Sequence, residues 1–518
     1  MKNNNSKKKK KKVFDKANLT SLGLLVFFSA ILCFSLVWDR GLSLETTIGT
    51  FFIIGLLLII LYKDLMRYRP IFYKNYSMLL LIGTLLSGNF IIGRGLDYIL
   101  EGFTLWLGNI DPQLTIYAVP LATGSMLAAL LIDIHAAIIF SVITGLFAGI
   151  WFGNPFYSVF SFAAGLTAAF GVIRCKKRSA IWRAGLLVGL VCVFTSLAIR
   201  LLQGQLLTLD TPVALGFAFL NGLIVITLVS ALLPLLEYLF KLTTDISLLE
   251  LVDLNQSIMR DLLVEAPGTY HHSIIVGNLA ESVAEAVGVN PLLARVSAYY
   301  HDIGKIKMPD YFIENQNQPI NRHEDLAPRM SSLILMSHVK EGVELAKKHN
   351  LPESIIDIIQ QHHGTSVMTY FYEKAKGKEG SSAPVLSDSD FRYPGPKPQT
   401  RVAALVLMAD AVEAASGAEL KENPIPARIS TLVDRIVNHF FLDGQLDECE
   451  LTLKDLREIK SNFVYLLTSM LRKRINYPGF KIKDDDSDKK PAKTQTDKQG
   501  KDKKNSPENP FSLGTTRG

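Results

Sequence analysis

The chain has 518 residues and a formal net charge of +7, from 55 Lys and Arg against 48 Asp and Glu. Its 48% hydrophobic content and mean hydropathy of +0.23 exclude a single soluble enzyme. The charge is divided: residues 1–16 hold eight lysines and one aspartate, residues 17–240 twelve basic and nine acidic side chains, and residues 241–518 35 basic and 38 acidic, so the slightly acidic second half lacks the basic footprint of a protein that binds nucleic-acid polymers.

Residues 1–17 read as a basic cytoplasmic tail, because an apolar span follows at once. A bilayer core of about 30 Å takes about 20 apolar residues per helix. Eight segments qualify: 18–38, 46–62, 76–93, 114–132, 135–152, 155–173, 181–203 and 212–240. The fourth and fifth are divided only by a turn at Asp133-Ile134-His135. With the N-terminus inside, the inside loops hold Lys63, Arg67, Arg69, Lys74, Arg174, Lys176, Lys177, Arg178 and Arg183. The outside loops hold Arg40, Arg94 and Arg200. This satisfies the positive-inside rule, and an even count returns the chain to the cytoplasm at Lys241. The expectation is a multi-pass protein of the cytoplasmic (inner) membrane, embedded in the lipid bilayer, with both termini cytoplasmic. No small-x-small cleavage site precedes Trp38, which argues against a signal peptide. Asp133, His135 and Glu237 are polar residues near span ends, where interfacial placement explains them better than transport. Cys33, Cys175, Cys192 and Cys449 are scattered, with neither a disulfide framework nor a CxxC metal pattern.

Residues 241–263 carry Leu248, Leu251, Leu254, Ile258 and Leu262 at helical spacing, predicting a connecting helix. It either covers the next domain or couples that domain to the membrane. Residues 264–480 form that domain, with helical patterns over 275–287, 291–300, 332–349, 353–363 and 401–415 and no strand-like alternation. The whole chain is therefore expected to be all-α: a polytopic transmembrane helical bundle followed by an all-helical cytoplasmic domain. The low-complexity stretch 374–400 is either a flap over a site or an excursion. Residues 481–518 have almost no apolar side chains and are expected to be disordered.

Eight of the ten histidines lie between 271 and 363. The informative ones are His271-His272-Ser273, His301-Asp302-Ile303-Gly304-Lys305, His338 and His362-His363-Gly364, with Asp410 following. Imidazole and carboxylate together suit divalent iron, manganese, zinc and nickel. If the two oxygens of Asp302 bridge two ions, His272, His301 and Asp410 complete one, and His338, His362 and His363 the other. Such a pair of ions suits phosphoester hydrolysis. Adjacent helical residues point about 100° apart, so His362 and His363 reach one ion most easily at a helix end, with Gly364 as the cap. Lys305 is placed either to meet a substrate phosphate or to lie on the surface. His271 should point away from the ions, and His323, His349 and His439 read as ordinary.

Tyr270-His271-His272-Ser273 and His301-Asp302-Ile303-Gly304-Lys305 resemble the HD phosphohydrolase superfamily. Glu265–Ser273, His362-His363-Gly364-Thr365, Phe391–Gln399 and Asp443–Cys449 are similar to the PgpH-type membrane receptors, over roughly residues 46–480. The resemblance implies a membrane-tethered phosphodiesterase that hydrolyses cyclic di-AMP to pApA at two divalent metal ions, usually iron or manganese. Carried over by position, its metal ligands fall on His272, His301, Asp302, His338, His362, His363 and Asp410, the last resting on the resemblance more than on spacing. Asp302 and Lys305 are the expected catalytic residues, and Lys305, Arg392 and Lys397 the candidate substrate contacts. The family normally carries a large extracytoplasmic domain after its first span; here about seven residues, 39–45, stand in that place. Two alternatives are a nucleotide-binding transducer without turnover and a hydrolase of cyclic di-GMP or guanosine tetraphosphate. Assembly as a homodimer is open.

Overall fold

The structure, a computed structural model, describes residues 2–38, 43–68, 76–108, 110–173, 177–316, 321–377, 387–420 and 424–471. The expected tail 481–518 and most of loop 39–45 lie outside the described residues. Regular structure among the described residues is helical throughout, apart from one isolated bridge between Val367 and Arg392. The chain is all-α.

The N-terminal half comprises α1 (Lys2–Val37), α2 (Leu44–Tyr68), α3 (Tyr76–Leu107), a 3-10 turn (Pro112–Ala118) leading into α4 (Ala122–Leu131), α5 (Ile134–Phe152), α6 (Pro155–Gly171), α7 (Ser179–Leu202) and α8 (Asp210–Phe240). Each of the eight expected spans has its helix. Seven are long and apolar enough to cross a membrane, taking 112–131 as one, while α6 is shorter at 17 residues. The basic segment and the first span form one continuous helix, α1. Large apolar side chains such as Phe52, Leu56, Leu190 and Phe194 face outward, the pattern of helices that meet lipid.

The polar residues singled out at span ends have structural partners. Asp133 caps α5 by accepting from the Ala136 N–H at 2.8 Å, which ends α4 and starts α5 where the sequence divides them. His135 Nε2 lies 2.7 Å from Asp64 Oδ2, and its ring stacks on Tyr68 at 4.1 Å. Glu237 accepts a hydrogen bond from Thr244. Helices α7 and α8 touch backbone to backbone: a Cβ on Gly222 would lie 2.4 Å from the Gly185 carbonyl and 2.6 Å from the Gly189 nitrogen. Small residues permit such an approach where no hydrophobic force drives helices together.

The single connecting helix expected over 241–263 is instead two, α9 (Asp245–Leu251) and α10 (Ser257–Glu265). Asp253 accepts from the Asn255 backbone N–H at 3.0 Å, a local turn that competes with helix continuation. The apolar pattern itself holds. Leu248, Ile258 and Leu262 are buried, with Leu251 and Leu254 packed against the same cluster, around Tyr299, Tyr300 and Ile355. At this joint Arg178 reaches Glu250 at 2.6 Å, Lys241 reaches Glu353 at 3.7 Å, and the Thr243 and Ser354 hydroxyls meet at 2.9 Å.

The C-terminal domain continues with α11 (Pro267–Ala286), α12 (Pro291–Tyr300), α13 (Pro328–Lys348), α14 (Glu353–Gln361), α15 (Thr369–Lys376), α16 (Arg401–Glu419), α17 (Pro426–Leu442) and α18 (Leu453–Met470). Four of these helices open on proline in the first turn, where its missing N–H costs nothing. Helix α16 is the central element: Val402 to Ala409 are all buried, packed among α11, α17 and α18.

Candidate metal centre

The histidines and aspartates come from five elements, of which α12 and α14 end at the site while α11, α13 and α16 run past it. His301 caps the C-terminus of α12, and a 3-10 turn, Ile303–Lys307, follows Asp302. That turn lies directly on α13, because Gly304 has no side chain: a Cβ there would sit 1.9 Å from the His338 carbonyl oxygen. The glycine after the His-Asp pair thus brings Asp302 against His338. His362 caps α14 and Gly364, at φ +53°, reverses the chain, so both adjacent histidines turn inward at the helix end. His272 comes from α11 and Asp410 from α16.

Asp302 is fully buried and its two oxygens face different histidines. Oδ2 lies 3.1 Å from His301 Nε2 and 3.8 Å from His272 Nε2. Oδ1 lies 3.3 Å from His338 Nε2 and 3.7 Å from His362 Nε2. Two groups able to hold a cation result: His272, His301 and Asp302, and Asp302, His338, His362 and His363. Asp410 faces both groups, with Oδ1 3.0 Å from His272 and 3.8 Å from His301, and Oδ2 3.7 Å from His363 Nδ1. All seven expected ligand positions are thereby brought together.

The outer nitrogens of these rings are already committed. His301, His338 and His362 direct Nδ1 to the carbonyls of Ala298, Leu335 and Ile359, three residues back in their own helices. Nδ1 of His272 lies 2.6 Å from Glu413 Oε2. In the neutral ring an Nδ1–H donor leaves Nε2 as a lone pair aimed inward, the orientation that metal-binding histidines require. Nε2 of His338 and Nε2 of His362 then face each other at 3.2 Å, an arrangement of opposed lone pairs that a cation relieves. His301 Nε2 and Asp302 Oδ1 are buried without a hydrogen-bond partner. Such orphaned groups are costly, and the donor set fits divalent metal.

Protonation follows the same division. Burial, reinforced by neighbouring imidazoles, holds His362 well below the usual histidine range, and burial takes His363 down to about 3. His338 is also lowered, chiefly by burial. Burial opposes charge on His272 and His301 too, yet Asp410 and Glu413 lift His272 to about 9, and Asp302 and Asp410 lift His301 to about 10.

Lys305 is not a surface lysine. Its ammonium lies 2.7 Å from Asp302 Oδ2 and 2.8 Å from Glu314 Oε1, over the Phe312 ring at 4.9 Å. Burial works against its charge, but the two carboxylates outweigh it and keep the amine protonated. Arg392 and Lys397 have protein partners of their own. Arg392 pairs with Asp443 at 3.2 Å and Asp388 at 3.1 Å and donates to the Thr365 carbonyl at 2.9 Å. Lys397 donates to the Gly444 carbonyl at 2.7 Å. Both cations fasten the loop to residues 443–447. His271 is exposed, and His323 lies outside the cluster, its Nε2–H donating to the Tyr311 carbonyl at 2.8 Å.

The described part of the low-complexity stretch is docked. Tyr393 N donates to the Ser366 carbonyl at 3.1 Å, and its ring lies 4.3 Å from that of His363. Residues 378–386 lie outside the described residues. Four residues at the site went unassigned from sequence: Glu413, Glu314, Tyr393 and Gln445. Gln445 is fully buried, and its Oε1 accepts from the Thr365 N–H at 2.9 Å, holding the turn after His363. Glu413 had a usable signal, since it lies one helical turn after Asp410.

Two family models match, a 7TM receptor with intracellular HD hydrolase over residues 44–244 and the HD domain over residues 269–415. The chain is similar to the cyclic-di-AMP phosphodiesterase PgpH of Listeria monocytogenes, 41% identical over 62% of this chain and 44% of that protein. It is 39% identical to PgpH of Bacillus subtilis, over 70% of this chain and 51% of that protein. The chain thus spans about half the length of the curated relatives it matches. The crystal structure of the L. monocytogenes PgpH HD domain is 43% identical, covering 42% of this chain and all of that one, with a TM-score of 0.40; a second covers the same domain in complex with cyclic-di-AMP. The segment 44–244 contains α2 through α8, seven apolar elements, ahead of a helical domain with the His-Asp centre. The chain belongs to the family of seven-transmembrane receptors that carry an intracellular HD hydrolase domain.

Proposed function

We propose that this chain is a membrane-tethered phosphodiesterase that hydrolyses cyclic di-AMP to pApA, with two divalent ions, iron or manganese, at the centre. The observation that carries this reading is the division of the Asp302 oxygens between two groups of histidines. Residues His272, His301, Asp302 and Asp410 would hold one ion, and Asp302, His338, His362 and His363 the other. When bound, the ions supply Lewis acidity, lowering the pKa of water and drawing charge from phosphoryl oxygens. The chain's own groups do the rest. Glu413 and the three helix carbonyls fix the imidazole orientations. Lys305 remains an ammonium and so cannot act as a base; it stabilises charge that develops on the phosphoryl group. Water adds at phosphorus, the 3′ oxygen leaves and takes a proton, and a 5′ phosphate remains.

The membrane orientation belongs to the same reading. The basic loops between α2 and α3 and between α6 and α7 would face the cytoplasm with the HD domain, and eight apolar elements put both ends of the membrane half on that side. The 41% and 39% identity to two named cyclic-di-AMP phosphodiesterases supports the choice of nucleotide. The test uses the purified full chain in nanodiscs, loaded with Mn²⁺ or Fe²⁺ under reducing conditions. Cyclic di-AMP should be turned over faster than cyclic di-GMP or guanosine tetraphosphate. Tight binding of cyclic di-AMP with no turnover in any metal form would replace this reading with that of a nucleotide-binding transducer.

A further inference from the structure

The membrane bundle contains a second polar site, at the end remote from the HD domain. Helix α8 leads through Lys241 into the HD domain, and α7 runs antiparallel to it from Arg178, beside Glu250. The opposite ends of these helices, at Arg200 and Asp210, line a cavity of about 550 Å³ together with parts of α3, the 112–118 turn, α5 and α6.

Arg200 makes this cavity unusual. The residue is only 3% exposed, inside an apolar bundle. Its guanidinium donates to Thr211 Oγ1 at 2.9 Å, Thr208 Oγ1 at 2.6 Å and the Gln205 carbonyl at 3.5 Å, all neutral oxygens. Among the described residues no carboxylate pairs with it. A buried guanidinium without a counter-ion is expensive, and its planar fork suits a carboxylate or phosphate. The wall beside it is aromatic: Tyr117 and Tyr157 meet edge to face at 5.8 Å, and Trp151 carries the guanidinium of Arg94 at 5.1 Å. The rim is acidic, with Asp97, Glu101 and Asp111 lining the same space.

We propose that this cavity binds a small zwitterion, its oxyanion on Arg200 and its ammonium at the acidic rim. A buried cation with only neutral partners, beside the exposed carboxylates of Glu101 and Asp111, selects a ligand bearing both charges over a simple anion. A free amino acid and a phosphatidylethanolamine headgroup share that chemistry. The site is independent of the reading of the metal centre, and α7 and α8 connect the two physically.

The test takes the full chain in nanodiscs of phosphatidylglycerol and records thermal unfolding with each of the twenty standard L-amino acids. At least one should raise the unfolding temperature with saturation. Its amide, which lacks the carboxylate, and its N-acetyl form, which lacks the ammonium, should not. Arg200→Gln should weaken the apparent affinity at least tenfold. Should Arg200→Gln fail to fold, the amide and N-acetyl comparisons on the unaltered chain decide. A second arm adds phosphatidylethanolamine to the nanodiscs. Stabilisation there, removed by Arg200→Gln, keeps the site and makes the headgroup its occupant. Absence of stabilisation in both arms, or equal stabilisation by the amide, overturns the proposal.

Discussion

Two sets of polar groups, the hydroxyls of the membrane helices and the imidazoles of the HD domain, are satisfied by opposite rules. In the membrane half, the hydroxyls of Ser29, Ser141, Thr167 and Thr195 donate to carbonyls four residues back in their own helices. Each of these hydroxyls is satisfied by its own helix, as an environment without water favours. In the HD domain, imidazoles return only Nδ1 to their helices and turn Nε2 toward a common point. Polar groups of the first kind are satisfied one at a time. Those of the second kind are satisfied only as a set, and a set that is incomplete without a cation is a site. The same criterion marks Arg200, whose charge its own helix does not balance.

The sharpest way to break this contrast is to remove one member from each half. Asp302→Ala takes a carboxylate from both histidine groups at once. Turnover should fall at least roughly 10³-fold, the scale of losing a central electrostatic group, and metal measured by elemental analysis should drop with it. Ser141→Ala should cost only about 1 kcal/mol of stability, the worth of one ordinary hydrogen bond, with turnover unchanged. An Asp302→Ala protein that keeps its full metal content would mean the aspartate is not shared between the groups.

Glu413→Gln is the next step down. The carboxylate touches no other expected ligand than His272, and it orients that ring through Nδ1 at 2.6 Å. Loss of such a partner costs about 10- to 100-fold in metal affinity. Titration with a competing chelator should show this while the helical circular-dichroism signal stays constant. No change in affinity would show that α11 packing alone orients His272.

Glycines give a comparison of steric rather than polar origin. A Cβ at Gly304 would lie 1.9 Å from the His338 carbonyl, and one at Gly222 would lie 2.4 Å from the Gly185 carbonyl. Both clashes are with backbone, which does not rotate away, so each alanine should destabilise its half by about 1–3 kcal/mol. The consequences differ. Gly304→Ala displaces Asp302 from His338 and should lower metal affinity in step with stability. Gly222→Ala should separate α7 from α8 and leave metal affinity of the HD domain unaltered.

Much of this arrangement was legible in the sequence because it rests on local patterns. Apolar runs marked the spans, Asp133 marked the break between α4 and α5, and clustered histidines marked the centre. What escaped depended on partners distant in the chain. Nothing local announces that Arg392 meets Asp443, 51 residues on. Lys305 looks equally at home on a surface until the turn at Gly304 folds it against Asp302 and Glu314. The interruption of 241–263 was hidden for another reason: apolar spacing continues through it, and only the Asp253–Asn255 turn stops the helix.

The smallest expected effect is at the joint between the halves, and it asks what holds them together. The ion pairs there are exposed: Arg178 and Glu250 at 66% and 51%, Lys241 and Glu353 at 74% and 50%. Exposed pairs contribute at most about 1 kcal/mol and weaken with salt. Beneath them Leu248 is 1% exposed and packs with Tyr300 and Ile355. Burial of this kind is worth more, about 2–5 kcal/mol on truncation to alanine. Arg178→Ala combined with Lys241→Ala should therefore leave turnover within about twofold and cost under about 1 kcal/mol. Leu248→Ala should loosen α9 from α12 and lower the unfolding temperature clearly. Helix α14 begins at this joint, at Glu353, and ends at His362 and His363, so displacement of one end moves the other. If the double charge variant changed turnover more than Leu248→Ala does, the charges rather than the apolar contact would be what links the membrane half to the metal centre.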